Sequence, residues 1–296
     1  VEKNKNYIMK IDRLGFEGEG VGRIEGFAVF VPYALPGEEI EIRIVKVNKS
    51  YAFGKLVRIL SRSPERVESL CSLKGCGGCQ LMHLSYGAQL RFKRQRVLDS
   101  IERIGKLNEV EVNETLGMQN PYRYRNKAMF PVGMEGGRIT VGFYAPRSHR
   151  IIDTRSCLIQ DEVSDRVIAI IKRWGEECGI SVYDETTGDG LLRHIMVRKA
   201  FRTGEVMVAA VTNGYEMPYS DRLVQMLRDG IEGLKTVVQN VNTERGNTAL
   251  GKENRILYGS GFITDCIGEL RFRISPQSFF QVNPVQAEVL YRKALE

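Results

Sequence analysis

The stretch that most constrains this chain is Cys71-Ser-Leu-Lys-Gly-Cys76-Gly-Gly-Cys79, three thiols within nine residues. Gly75, Gly77 and Gly78 let the backbone turn tightly there, and a packed core has no use for such a combination. A metal or cluster does, because thiolates must converge on one centre from a loop free of bulky side chains. A fourth ligand is then needed, and Cys157, Cys178, Cys266 and His83 are the candidates. The Cys-x4-Cys-x2-Cys spacing lies close to iron–sulfur spacing; zinc is the alternative, although zinc knuckles favour two CxxC pairs.

The length of 296 residues exceeds what one small core organises and points to two or three domains. No apolar run approaches the roughly 20 residues of a membrane span, so no membrane partner is expected. The start, Val1-Glu-Lys-Asn-Lys, has no signal-peptide core and no initiating Met, which reads as a trimmed N-terminus. Six cysteines, three of them clustered, are not a disulfide framework in a chain this long. That usage points to the cytoplasm. The net charge of +7 is unevenly spread. Residues 91–106 and 122–155 are strongly basic, and phosphate backbones bind such patches by releasing counterions. RNA is the natural partner, a solvated basic face the bland alternative, and no obligate protein partner is evident.

Residues 7–60 read as all-β. Ile40, Ile42 and Ile44 alternate with Glu41 and Arg43 as a half-buried strand requires, and short strands at this spacing suggest a small oligonucleotide-binding-type barrel. The Gly15–Gly22 run leads into a strand and not a helix, so it is no nucleotide fingerprint. Tyr86 to Ile104 has a helical pattern stopped by Gly105. In Tyr122-Arg-Tyr-Arg-Asn-Lys127 aromatics and cations interleave, which suits stacking and phosphate contacts; a strand with one basic face is the equally ordinary reading. Val163 to Trp174 is an amphipathic helix, 191–199 and 205–212 form a hairpin, and Ser220 is the expected cap of a helix that Gly230 ends. This block reads as α+β with a mainly antiparallel sheet. His194 sits on a strand without an acid or nucleophile at a suggestive spacing and reads as structural. The helix from Val285 to Leu295 has an apolar face but no following element to cover it.

Together, Cys71-x4-Cys76-Gly-Gly-Cys79-Gln-x-x-His83, Cys157, Tyr122-Arg-Tyr-Arg-Asn-Lys127 and Ser278-Phe-Phe-Gln-Val-Asn283 fall in one family's order. The chain resembles, over all its residues, the bacterial RNA 5-methyluridine methyltransferases with an N-terminal TRAM barrel, most closely the branch acting on 23S ribosomal RNA. The resemblance implies an α+β multidomain architecture. A TRAM-like, OB-like barrel would span 1–61 and an iron–sulfur and RNA-binding middle domain 62–274, with helix 86–105 packing on the catalytic domain. The start of a Rossmann-like methyltransferase domain would span 275–296.

The resemblance further implies a [4Fe–4S] cluster on Cys71, Cys76, Cys79 and Cys157, although the family often has five residues between the first two cysteines. It implies that Gln281 contacts S-adenosylmethionine, that Phe279 lies near a flipped-out base, and that Arg123, Arg125 and Lys127 contact RNA. The family's nucleophilic cysteine and general base have no counterpart here, so no catalytic residue is assigned and the 296 residues are expected to be inactive alone. Two other readings differ in class. One is a stand-alone iron–sulfur RNA-binding module. The other is a radical S-adenosylmethionine enzyme, which would need Cys-x3-Cys-x2-Cys on a (β/α) barrel.

Overall fold

A computed structural model describes all residues from Val1 to Glu296. The chain divides into two compact units, one of residues 1–72 and 79–119, the other of residues 73–78 and 120–296.

The first unit is built on a six-stranded sheet. Its strands are β1 (Asn6–Lys10), β2 (Arg13–Leu14), β3 (Gly20–Ile24), β4 (Phe27–Val31), β5 (Glu39–Val47) and β6 (Tyr51–Ser61), in the order β1-β5-β6-β4-β3-β2. All pairs are antiparallel except β4 with β6. The period-2 pattern of β5 is realised: Ile40, Ile42 and Ile44 are fully buried with Met9, Val29, Val31 and Ala52. Between β1 and β2 the extended run breaks after Lys10, where Ile11 turns into the core and pairs its backbone with Gly37 and Glu38.

Beneath the barrel lies a buried carboxylate. Glu38 accepts from Arg66 Nε at 2.5 Å, Arg66 Nη2 at 2.8 Å and Leu35 N at 2.9 Å, and Arg66 Nη2 also reaches Tyr33 O at 2.6 Å. Burial pushes the Glu38 carboxyl upward, but the Arg66 and backbone hydrogen bonds outweigh it and hold the carboxyl below its usual value.

Helix α1 (Tyr86–Asp99) belongs to this unit, capped by Ser85, whose Oγ accepts from Ala88 N. The helical pattern expected to Ile104 ends differently, as a π-turn over Ser100–Ile104 closed by Gly105 N to Ser100 O. Residues 106–119 return along α1, tied by Arg94 Nε to Val112 O (2.8 Å) and Met118 N to Tyr86 Oη (2.7 Å).

The second unit holds a seven-stranded sheet. Its strands are β7 (Lys127–Glu135), β8 (Arg138–Tyr144), β9 (Ile151–Asp153), β10 (Leu192–Lys199), β11 (Val206–Thr212), β12 (Leu234–Val241) and β13 (Glu253–Gly259), ordered β13-β12-β11-β10-β7-β8-β9. It is antiparallel apart from β11 with β12, which are joined through helix α3 (Ser220–Gly230). Helix α2 (Glu162–Glu177) and α3 cover one face, with Val167, Ile171 and Trp174 fully buried against Phe130, Ile195 and Val197. Tyr219, and not Ser220, caps α3: it adopts φ 56°, has no side-chain cap bond, and its carbonyl accepts from Leu223 N and Trp174 Nε1.

The opposite face carries the hairpin β14 (Ile263–Ile267) and β15 (Leu270–Ile274), with Ile263 and Ile274 packed on Met196, Met207 and Val238. Helix α4 (Pro284–Leu295) docks on β14 through Pro284 and Ala287, and Glu288 accepts from Gly268 N and Arg202 Nη2. Its cover is therefore this hairpin; Val285 and Leu290 remain exposed.

Candidate nucleic-acid interface

The cysteine loop is placed piecewise. Gly77 N donates to Tyr144 O at 3.0 Å, and a Cβ on Gly77 would stand 2.9 Å from that carbonyl, so only glycine permits the approach. Gly75 takes φ 78°, and Gly78 N donates to Cys76 Sγ at 3.4 Å. Cys157 is buried, between β9 and α2.

None of the six cysteines forms a disulfide, and no three His, Cys, Asp or Glu side chains are gathered so as to hold a metal ion. Of the four cysteines expected to hold a cluster, Cys71 and Cys79 belong to the first unit and Cys76 and Cys157 to the second. Four thiols are a donor set that suits iron and sulfide. His83, a fourth-ligand candidate, is buried against Tyr33, and burial followed by the Arg66 cation lowers its pKa to about 4.

The aromatic–cation tract is clamped along residues 158–161 by Arg123 N to Leu158 O (2.7 Å) and Arg125 N to Ile159 O (2.9 Å). Arg123 does not face solvent phosphate as the sequence suggests. Its Nη1 donates to Cys157 O at 2.8 Å, Gln160 O at 3.1 Å and Asp165 Oδ2 at 2.8 Å, and its Nη2 to Ser156 Oγ at 3.0 Å. Arg125 and Lys127 are half-buried, and burial, then the neighbouring Arg198, lowers the Lys127 pKa. His194, read as structural, is likewise pushed to about 4 by burial and then by Arg193, so it stays neutral at physiological pH.

The Ser278–Asn283 segment is held on the hairpin face of the sheet. Phe280 is 9% exposed within the Met196–Ile263–Ile274 cluster, 5.7 Å from the Phe272 ring, whereas adjacent Phe279 is 86% exposed. Two side chains the sequence did not single out hold the flanks. Asn126 Nδ2 donates to Gln281 O at 3.0 Å, and Arg198 Nη2 donates to Ser278 O and, at 3.4 Å, to Pro276 O. Asn126 lay within the tract Tyr122–Lys127, but nothing local marks it as a partner of a segment 155 residues away.

In the first unit, a cleft of about 720 Å³ between β-strand loops and α1 is lined by Phe16, Phe30 and Phe92 with Arg13, Arg91 and Arg96. Arg96 stacks 3.9 Å above the Phe16 ring. Asp12, Glu65 and Asp99 line the same cleft, so cations, carboxylates and aromatic rings share it.

Residues 2–57 match the TRAM domain family. Over its whole length the chain is 52% identical to an RNA methyltransferase of Clostridium tetani and 48% identical to one of Caldanaerobacter subterraneus, covering 64% and 66% of them. The chain therefore spans about two thirds of these relatives' length and is homologous to bacterial RNA methyltransferases throughout. Among solved structures it resembles the Pyrococcus abyssi tRNA (uracil-54, C5)-methyltransferase in complex with S-adenosyl-L-homocysteine. That match has a TM-score of 0.73 and 28% identity, covering 97% of this chain and 64% of the other.

Proposed function

We propose that this chain is the RNA-recognition portion of an S-adenosylmethionine-dependent uracil-C5 methyltransferase, acting in the cytoplasm on 23S ribosomal RNA. The observation that carries the reading is the Phe279–Phe280 pair. One ring is buried as an anchor while its neighbour is exposed, an arrangement on which a base taken out of its stack can rest. Similarity to an S-adenosyl-L-homocysteine-bound uracil-C5 enzyme supports the reaction class.

The reaction adds a cysteine thiolate to uracil C6 and removes a proton from C5. No residue of this chain is assigned to either step. Cys266 lies in β14 beside buried Asp265, whose carboxylate accepts from the Phe201, Arg202 and Cys266 backbone N–H groups. The chain's share of the work is to bind RNA through the TRAM unit, Arg125 and Lys127, and to present Phe279 and Gln281. Cys71, Cys76, Cys79 and Cys157 are the ligands proposed for an iron–sulfur cluster.

For the cofactor, Gln281 contributes one side-chain amide, worth about 0.5–1.5 kcal/mol net. Micromolar binding needs roughly 8 kcal/mol. Calorimetry of the 296-residue chain with S-adenosylmethionine is therefore expected to show no isotherm, and a micromolar one would mean the cofactor site is complete within these residues. Substrate choice is tested by competition at fixed salt between a 23S rRNA fragment and tRNA. At least tenfold preference for rRNA is expected; equal or tighter tRNA binding would favour the substrate class of the Pyrococcus enzyme.

A further inference from the structure

The Ser275–Asn283 segment is irregular backbone on an otherwise regular sheet, and the carbonyls that flank Phe279 and Phe280 are held from two neighbouring strands. β7 and β10 are antiparallel neighbours with Lys127 opposite Arg198, and Asn126 immediately precedes β7. Met196, Arg198 and Ala200 alternate onto the hairpin face, away from Ile195 and Val197. Arg198 therefore lies beneath the segment's entry and Asn126 beneath its exit.

Arg198 is 3% exposed, and burial alone displaces its pKa, with no carboxylate acting on it. A buried cation without an acid is costly and persists where its hydrogen bonds have no cheaper substitute. Here one guanidinium nitrogen, Nη2, donates to two carbonyls, Pro276 O and Ser278 O, and methionine, without a donor, could hold neither. On the far side Asn126, 7% exposed, uses both its backbone and its side chain: N to Val282 O at 2.9 Å and Nδ2 to Gln281 O at 3.0 Å. Ser275 N to Ser278 Oγ at 2.9 Å closes the turn between.

Phe279 and Phe280 lie between these anchor points. With the carbonyls on both flanks fixed, the alternation that buries Phe280 forces the Phe279 ring outward.

We propose that Asn126 and Arg198 are positioning residues, a two-point carbonyl clamp on residues 276–282 that holds the Phe279 ring in place to stack on an RNA base. This rests on the reading that Phe279 meets a base, and the test separates the two. The probe is a single-stranded uridine-containing RNA oligonucleotide, and the protein is the full 296-residue chain.

Phe279→Ala in the otherwise unchanged chain is expected to weaken binding roughly 5- to 150-fold, the range of one stacked base. Asn126→Asp, near-isosteric but placing a carboxylate against Gln281 O, is expected to retain the thermal transition and to reduce the effect of adding Phe279→Ala to less than threefold. Arg198→Met, which removes every donor while keeping a long apolar stem, carries the same cycle should Asn126→Asp fail to fold. Phe279→Ala costing the same factor in both backgrounds would overturn the clamp while leaving the stacking reading intact. No effect of Phe279→Ala in the unchanged chain would overturn the stacking reading, and the clamp would fall with it.

Discussion

Arg123 and Asp165 form an ion pair of 2.8 Å that brackets Cys157: Arg123 donates to the Cys157 carbonyl, and Cys157 N donates to Asp165 Oδ1 at 3.1 Å. Both backbone groups of one residue are thus held by a single charged pair, which fixes where that thiol is carried. An arginine in a basic tract is here a scaffold for a cysteine 34 residues later.

It follows that Arg123→Met acts on stability and not on phosphate binding. Losing charge-assisted bonds in a partly buried pair is expected to cost about 1.5–3 kcal/mol, read as a lowered urea midpoint. The slope of log affinity for RNA against log salt is expected to stay as in the unchanged chain. A slope flattened by about 0.7–0.9 would show that Arg123 neutralises a phosphate after all.

Lys127 and Arg125 carry the opposite expectation. Each change to Ala should flatten the salt slope by about 0.7–0.9 and weaken binding across unrelated RNA sequences alike. Unchanged slopes for both would remove the tract from the RNA surface.

The Glu38–Arg66 pair sets an acid limit on the barrel. Because the folded Glu38 pKa is depressed, its contribution is fully present above the ordinary value near 4.5 and is lost as pH falls through the lower folded value. Breaking the pair by Glu38→Ala is expected to cost about 3–5 kcal/mol at neutral pH, since Arg66 is left buried and unmatched. Thermal melts of both proteins should converge as pH drops below about 4.5; a constant gap down to strong acid would contradict the assignment.

His83 adds a pH effect at milder acidity. Its folded pKa of about 4 lies below the ordinary histidine value of 6.5, so the unfolded chain binds the proton first and stability declines as pH falls from about 6.5 towards 4. NMR titration should show the His83 ring neutral until near pH 4, and His83→Leu should flatten the decline in that window. A His83 ring titrating near 6.5 would refute it.

Anaerobic preparation is expected to yield iron and acid-labile sulfide bound through Cys71, Cys76, Cys79 and Cys157, with absorption near 400 nm that Cys157→Ser abolishes. Stoichiometric zinc without sulfide would replace the cluster by a zinc site.

Local patterns were legible because they depend on residues a few positions apart. The alternation of Ile40, Ile42 and Ile44 determined β5, the apolar stripe from Val163 to Trp174 determined α2, and the glycines around Cys76 determined a tight thiol-bearing turn. The sequence did not reveal what each polar side chain would face. Arg123, Arg125 and Lys127 look alike in a row, and only the return of residues 156–165 alongside them makes Arg123 internal.

Likewise Asn126 and Arg198 have no local signature, because their acceptors arrive from residues 276–282, far along the chain. The parallel pairing of β11 with β12, set by the crossover through α3, was not legible either. Periodicity fixes which face of an element is apolar. Which carbonyl a buried donor meets is decided only when distant segments close together, since a buried polar group must find its partner wherever the fold delivers one.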